Sequence, residues 1–261
     1  MKNKEFKVFN KNIDKLNIDL ISDAILNFKN LEGGFGDRNI IKIVEINGKA
    51  LNIKAFKIPH LINKIAYSFF RKSKANRSFE YANTLLKFDV KTPNPIAFFE
   101  YKKFGILNRS YYISEQLTCD FTYRELINDD NFPNSEKILR EFTQFTFGLH
   151  EKGINFLDHS PGNTLIKKNE DTNDYSFYLV DLNRMKFQEM TYDERIKNFA
   201  KLTSKKEMVR IMASEYSKLI GIEESKVFNE MWGLTAAFQK KYHDKVALKR
   251  KIFFWKRDQI R

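Results

Sequence analysis

Several classes of protein are excluded by what this sequence of 261 residues lacks. Cys119 is its one cysteine, so neither an intramolecular disulfide nor a cysteine cluster around a metal ion can form. No run of about 18 apolar residues is present, and the polar, basic residues 1–9 lack the apolar core of a signal peptide. We therefore expect a cytoplasmic protein whose contact with a membrane, if it makes one, is peripheral.

Acidic residues are in the minority, because 46 Lys and Arg stand against 33 Asp and Glu and give a net charge of +13. A surplus of this size favours an anionic partner: nucleic acid, nucleotide, phosphorylated glycan or acidic membrane. A lysine-rich composition inherited from an AT-rich genome explains the same surplus. With 42% hydrophobic and 15% aromatic residues, the chain can bury a sizeable core.

The N-terminal part of the chain combines strands with one main helix. Asn47-Gly48 is a strong hairpin signal, because both residues accept a positive φ. The predicted elements are a short helix at 19–28, a longer helix at 73–88, and strands at 39–46, 50–57, 96–101 and 110–115.

The C-terminal part is predicted to be mainly helical. Ile138, Phe142, Phe145 and Leu149 form one helical stripe, and a strand pair follows at 164–167 and 177–180. A sheet-rich part followed by a helical part is an α+β arrangement of two lobes, residues 1–116 and 117–261.

The segment 149–163 carries the residues of greatest chemical interest. Asp158 and Asn163 lie five residues apart across a Pro-Gly turn, and Asp181 follows the next apolar strand. ATP-dependent phosphoryl transfer needs one carboxylate that takes the proton of the acceptor hydroxyl. It also needs a second carboxylate and an amide oxygen that hold Mg²⁺ against the phosphates.

This pattern resembles a known superfamily. Asp158 to Asn163 is similar to the D-x-x-x-x-N catalytic loop of protein kinases, and Asp181 stands where that superfamily has D-F-G. The stretch from about residue 33 to residue 187 resembles the bacterial lipopolysaccharide kinases, which phosphorylate Kdo or heptose in the inner core. The resemblance implies a protein-kinase-like two-lobed fold, ATP and Mg²⁺ as cofactors, Asp158 as base, and Asn163 and Asp181 as metal ligands.

The loop departs from the superfamily pattern at three places. Phe156 replaces the usual His, so we expect weaker support of the loop. His159 and Ser160 stand where protein kinases often have Leu and Lys, so no lysine is available at this position to stabilise the transition state. Leu182 and Asn183 replace Phe and Gly, and Asn183 can adopt the left-handed conformation that the turn needs.

The resemblance also predicts a strand lysine that binds the α- and β-phosphates and pairs with a helix glutamate. Lys54 follows the hairpin turn and fits the lysine. Lys57 is the rival, on the opposite face of the strand. Between residues 59 and 99 the acids are Glu80 and Asp89, and Glu80 lies in the middle of the predicted helix.

Two further segments are expected at the nucleotide. Gly33, Gly34 and Gly36 form a loop, beside a strand, whose backbone N–H groups would cover the phosphates. The pattern G-x-G-x-x-G is only partly matched. The connection from Glu115 to Leu117 is expected to be the hinge that contacts ATP in a cleft between the lobes.

The predicted function is ATP-dependent phosphorylation of a sugar hydroxyl in the lipopolysaccharide inner core, Kdo or heptose on lipid A. The short chain after Asp181 and the missing A-P-E motif favour a small or lipid-linked acceptor over a protein. Three alternatives stay open. They are a small-molecule kinase of the aminoglycoside or choline type, a catalytically weak pseudokinase, and a basic nucleic-acid-binding protein.

Partners follow from the kinase prediction. We expect a lipid-linked or small sugar substrate, no nucleic acid and no obligate protein partner. The basic residues near 71–77 suit a phosphorylated acceptor. The tail 245–261, rich in Lys, Arg and aromatic residues, predicts either a packed terminal helix or peripheral contact with the inner face of the inner membrane.

Overall fold

The computed structural model describes residues 4–11, 13–34, 39–57 and 71–258, with side chains as far as residue 250. The chain divides into two compact units. The first holds the residues up to Cys119 and the return segment Tyr178–Arg184, and the second holds the remainder. The sequence predicted a single boundary between residues 116 and 117, whereas the structure groups the segment around Asp181 with the first unit. The division of functions between the two parts stays a prediction.

The first unit contains a five-stranded antiparallel sheet in the order β1–β4–β5–β3–β2. The hairpin turn predicted at Asn47-Gly48 is present, with φ angles of 51° and 73°. All four predicted strands of this part are observed. The strands are β1 (Lys4–Phe9), β2 (Asn39–Ile46), β3 (Lys49–Phe56), β4 (Pro95–Lys103) and β5 (Ile106–Glu115), and the helices are α1 (Lys15–Leu26) and α2 (Lys74–Lys87).

The prediction of a strand beside the glycine segment is wrong. The chain before Gly33 forms α1 and turns, and the fifth strand is β1, which pairs with β4 at the far edge of the sheet. Asp14 caps the N-terminus of helix α1, because its carboxylate accepts a hydrogen bond from the backbone N–H of Asn17. Ile21 and Ile25 are buried against the sheet, so the apolar periodicity favours a helix here.

Helix α2 is held by a cap and by one apolar face. The Ser73 hydroxyl accepts from the backbone N–H of Asn76 at 3.1 Å and starts the helix. Phe79 packs on Phe98 of β4 with ring centroids 5.4 Å apart, and Ala82 and Leu85 are fully buried. The face that carries Glu80 is therefore left toward solvent.

The second unit is mainly helical, and its core is formed by residues such as Phe142, Tyr216 and Val227. Short strands make one sheet in the order β6–β8–β9 and one pair, β7–β10. The helices are α3 (Tyr123–Asn128), α4 (Ser135–Glu151), α5 (Tyr192–Asn198), α6 (Lys206–Ile220) and α7 (Glu224–Asp258). The strands are β6 (Phe121–Thr122), β7 (Ile154–Phe156), β8 (Thr164–Lys168), β9 (Tyr175–Leu179), which continues into the first unit, and β10 (Met185–Phe187).

The predicted α+β class is confirmed by these elements. A search of the described residues finds no helix with the length and apolar character needed to cross a membrane.

Candidate active site

The loop between β7 and β8 holds Asp158 and Asn163 in one short turn. The side-chain Nδ2 of Asn163 donates to the backbone oxygen of Asp158 at 2.8 Å, and its backbone N–H donates to Ser160 at 3.0 Å. Because the amide nitrogen is used inside the loop, Oδ1 is the atom of Asn163 that can bind a metal ion. The structure therefore brings these two predicted residues together locally.

The Pro-Gly pair shapes this loop. Pro161 starts a 3₁₀ turn, Pro161–Asn163, for which its fixed φ is suited. A Cβ atom on Gly162 would lie 2.6 Å from the guanidinium of Arg124 on α3, so glycine lets that side chain lie against the loop. The sequence analysis missed Arg124, because no motif connects it to the loop.

Asn198, at the end of α5, ties the loop to the body of the second unit. It is buried, and its Nδ2 donates to the backbone oxygen of Phe156 at 3.0 Å and to Oδ1 of Asn155 at 3.2 Å. Its Oδ1 accepts from Nδ1 of His159 at 2.9 Å. The replacement of a histidine by Phe156 predicts weak support of the loop, but the hydrogen bonds from Asn198 of α5 hold the loop in place. Sequence reasoning also missed Asn198, which carries no motif.

Two buried histidines beside the loop are structural. Nδ1 of His150 lies 2.8 Å from the hydroxyl of Tyr216, and His159 contacts Asn198. Burial lowers the pKa of His150 to about 3 and that of His159 to about 4, so both rings are neutral at neutral pH. Across the described residues, no group of three or more His, Cys, Asp or Glu is placed to hold a metal ion.

Lys54 and Asp181 form an ion pair within the first unit. Nζ of Lys54 on β3 lies 2.8 Å from Oδ1 of Asp181, and their side chains are 13% and 29% exposed. The two residues are far apart in the sequence, so only the tertiary fold brings them together. A cation beside a carboxylate of this kind can serve the phosphates of a nucleotide and its metal ion.

Hydrogen bonds fix the strand that precedes Asp181. The backbone N–H of Leu179 donates to Lys91 at 3.0 Å, and the hydroxyl of Thr92 donates to the oxygen of Leu179 at 2.8 Å. Asp181 itself has a φ of 58°, and Nδ2 of Asn183 donates to its Oδ1 at 2.7 Å. The left-handed residue is therefore Asp181, not Asn183 as expected. Aspartate adopts this conformation more readily than most residues do.

The prediction that Lys54 pairs with Glu80 is wrong. Glu80 instead contacts Nζ of Lys72 at 2.7 Å, on the half-exposed face of α2. The physical reason is the apolar face of the helix, whose burial through Phe79 fixes the orientation of α2 and leaves Glu80 partly exposed beside Lys72. A role for Glu80 at the nucleotide stays a prediction. Arg77 is buried, so it does not belong to a basic surface.

The glycine segment is described only in part, since Gly36 lies outside the described residues. Gly33 and Gly34 have φ angles of 66° and 134°, which side chains of other residues rarely adopt. Lys42 of β2 is buried, and its Nζ donates to the backbone oxygen of Leu31 at the start of the segment. Phosphate binding by these glycines stays a prediction.

The predicted hinge is held to the sheet by backbone hydrogen bonds. Glu115 donates to Asn94 at 2.9 Å, and Gln116 donates to Ala50 at 2.8 Å. The Gln116 side chain donates to the oxygen of Leu117 at 3.1 Å. Contacts of Glu115 and Leu117 with ATP stay predictions.

Comparisons with known proteins agree with the resemblance drawn from the sequence. The sequence profile of the lipopolysaccharide kinase (Kdo/WaaP) family matches residues 41–222. No curated protein sequence matches the chain. A solved structure described as "WaaP in complex with acyl carrier protein" matches with a TM-score of 0.60 and 14% identity, covering 92% of this chain and 98% of that one. At this identity the match shows the fold. The predicted family and fold class are confirmed.

Proposed function

This chain belongs to the lipopolysaccharide kinase (Kdo/WaaP) family, and we propose from that premise that it transfers the γ-phosphate of ATP to a hydroxyl of Kdo. The enzyme class is kinase, as predicted. Kdo is the proposed acceptor and heptose is the alternative. The ion pair between Lys54 and Asp181 is the single observation that carries the ATP-dependent chemistry.

The residues divide the work of phosphoryl transfer. Asp158 accepts the proton of the acceptor hydroxyl while the hydroxyl oxygen forms a bond to the γ-phosphorus of ATP. The bond between the γ-phosphorus and the bridging oxygen breaks, and that oxygen leaves with ADP. Lys54 leaves Asp181 and donates to the α- and β-phosphates. The carboxylate of Asp181 and the amide oxygen of Asn163 are hard donors that suit Mg²⁺. When bound, Mg²⁺ supplies neutralisation of charge on the phosphate oxygens.

The short connection after Asp181 supports a small or lipid-linked acceptor. Between Asp181 and the start of α5 at Tyr192, the chain forms only the three-residue strand β10. Protein kinases bind peptide substrates along a much longer activation segment between D-F-G and A-P-E. A lipid-linked sugar needs no such platform.

The proposal is tested by transfer of labelled γ-phosphate from ATP to Kdo-lipid A in the presence of Mg²⁺. Product analysis by mass spectrometry locates the phosphate, and a heptose-containing acceptor, choline and an aminoglycoside are assayed in parallel. We expect labelled Kdo-lipid A that is absent with Asp158→Ala. Transfer only to the other acceptors would contradict Kdo, and ATP binding without any transfer would favour the pseudokinase.

Membrane contact is a separate part of the proposal. Along α7, residues 240–250 are almost entirely exposed and hold Lys240, Lys241, Lys245, Lys249 and Arg250 against a single acid. We infer that this end of α7 contacts anionic lipid peripherally, because clustered basic residues are attracted to such surfaces. Co-sedimentation should be stronger with phosphatidylglycerol vesicles than with phosphatidylcholine vesicles, and weaker for Lys240→Glu/Lys241→Glu. Equal binding to both lipids would contradict the inference.

The expectation that no protein partner is required is a prediction that one experiment can test. The similar solved structure is of WaaP in complex with acyl carrier protein. Purified chain should therefore be assayed alone and with acyl carrier protein added. Full activity of the isolated chain would support the prediction, and activity that depends on the added protein would contradict it.

A further inference from the structure

A pocket in the second unit opens beside the catalytic loop. Its volume is about 200 Å³, and Leu157 and His159, the two neighbours of Asp158, both contribute to its wall. Since a water molecule takes up roughly 30 Å³, the space can hold one charged substituent of a sugar together with several waters. The pocket therefore lies beside the loop that carries the proposed catalytic base, within the same compact unit, and Asp158 itself is not part of its wall.

Basic side chains dominate the wall of this pocket. Lys186 of β10, Lys197 of α5 and Lys201 contribute three positive charges, against the single carboxylate of Glu194. That carboxylate accepts a hydrogen bond from the backbone N–H of Thr191 and so takes part in capping α5. The wall is thus positive, and an anion is the ligand that it favours.

Rigid elements position these lysines. Lys186 lies opposite Asn155 in the β7–β10 pair, and β7 leads directly into the loop. The pairing of the two strands therefore fixes the position of Lys186 relative to the loop. Nζ of Lys201 donates to the backbone oxygen of Leu157 at 2.8 Å, which joins the third lysine to the loop itself. Lys186 and Lys197 are exposed and lie on β10 and α5, the two elements that hold the loop in place.

A buried polar atom adjoins the same wall. His159 is almost completely buried, its Nδ1 is bonded to Asn198, and its Nε2 has no hydrogen-bond partner among the described residues. Buried polar atoms are rarely left unpaired. Because the His159 side chain also lines the pocket, its ring is placed to respond to a ligand bound there.

We propose that the pocket binds an anionic substituent of the acceptor, a carboxylate or a phosphate, and so anchors the acceptor beside the loop that carries Asp158. This inference rests on the proposed function and deepens it. It assigns Lys186 and Lys197 as residues that determine acceptor specificity. Lys201 supports the loop and adds charge.

The test compares charged and neutral acceptors in steady-state kinetics. The variant Lys186→Gln/Lys197→Gln removes both exposed charges, and Lys218→Gln removes an exposed lysine of α6 as the matched control. The acceptors are Kdo-lipid A, its carboxamide, in which the Kdo carboxylate is neutral, and a form from which the lipid A phosphates are removed. Thermal unfolding of each variant checks that it is folded.

We expect the acceptor KM of the double variant to rise about 10- to 100-fold, the range for the loss of charge-assisted hydrogen bonds. The KM for ATP and the kcat at saturating acceptor should change little. For the wild type, the KM of one of the two neutralised acceptors should be higher than that of Kdo-lipid A by a similar factor, and that acceptor identifies the group that is bound. The double variant should show no such difference. An unchanged acceptor KM and unchanged discrimination would overturn the proposal.

A binding experiment separates failure of this inference from failure of the proposed function. Inorganic phosphate is titrated into the protein without ATP while the ring signals of the histidines are followed by NMR. Shifts of His159 that the double variant loses, together with acceptor discrimination, support the proposal. The same shifts without discrimination would indicate a site for a free anion and overturn the acceptor assignment. Absence of transfer to every acceptor would refute the proposed function itself.

Discussion

Removal of the Asn198 side chain should both destabilise the second unit and slow catalysis. The perturbation is Asn198→Ala, because one buried amide serves three groups around the loop. Alanine leaves the backbone oxygen of Phe156 and the Nδ1 of His159 without their partners. Asn198→Asp keeps an acceptor for His159 but removes the donor to Phe156, and it provides a graded comparison.

The size of the effect follows from the buried groups. Each buried polar group left without its partner costs about 1–3 kcal/mol, so the two groups that Asn198→Ala leaves unpaired should lower the free energy of unfolding by roughly 2–6 kcal/mol. Domains of this kind are stable by about 5–15 kcal/mol, so the variant should still fold. The loop would lose its fixed position, and kcat should fall about 10- to 100-fold, because misplaced catalytic groups lose alignment.

Urea denaturation followed by circular dichroism measures the stability, and the phosphotransfer assay measures kcat. Asn229→Ala, at an exposed position of α7, is the matched control and should stay within about 0.5 kcal/mol of wild type. A loss for Asn198→Ala no larger than for this control would refute the reasoning, because the hydrogen bonds would then contribute nothing net.

The remaining predictions concern the active site and pH. Asp158→Asn should bind ATP normally but lose kcat by about 10²- to 10⁴-fold in single-turnover assays, since a general base is removed; retained turnover would exclude Asp158 as the base. Lys54→Met should weaken ATP binding measured by calorimetry, because it removes the cation expected at the α- and β-phosphates; unchanged affinity would contradict it. The pKa of His159 is lowered from 6.5 to about 4, so the unfolded state binds more protons between these values, and stability that is full above pH 6.5 should decline as pH falls toward 4. A His159→Gln variant should lose less stability over that range in urea titrations, and an equal loss would contradict the assignment.

Sequence reasoning was most successful where the information is local. The Asn47-Gly48 turn and helix α2 depend on residues close together in the chain, and both are observed as predicted. The loop from Asp158 to Asn163 is local as well, because the hydrogen bond between these two residues spans five residues of the chain. A fixed spacing in one segment can therefore be read from the sequence.

Contacts between distant residues were predicted less well. The Lys54–Asp181 pair depends on the return of the segment Tyr178–Arg184 to the first unit, and no periodicity encodes that return. Glu80 was assigned to Lys54 by order along the chain, but the orientation of α2 is set by its buried apolar face. Asn198 was missed because a single amide in a short helix has no distinguishing sequence pattern.

The most direct test of the account separates metal-dependent nucleotide binding from chemistry. Binding of ATP and turnover of a Kdo acceptor are measured with and without Mg²⁺ for wild type, Asp181→Asn and Asp158→Asn. The account predicts that Asp181→Asn loses the Mg²⁺-dependent part of ATP binding, whereas Asp158→Asn binds ATP as wild type does but transfers phosphate about 10²- to 10⁴-fold more slowly. Turnover by Asp158→Asn at the wild-type rate, or ATP binding by wild type that is indifferent to both Mg²⁺ and Asp181, would contradict it.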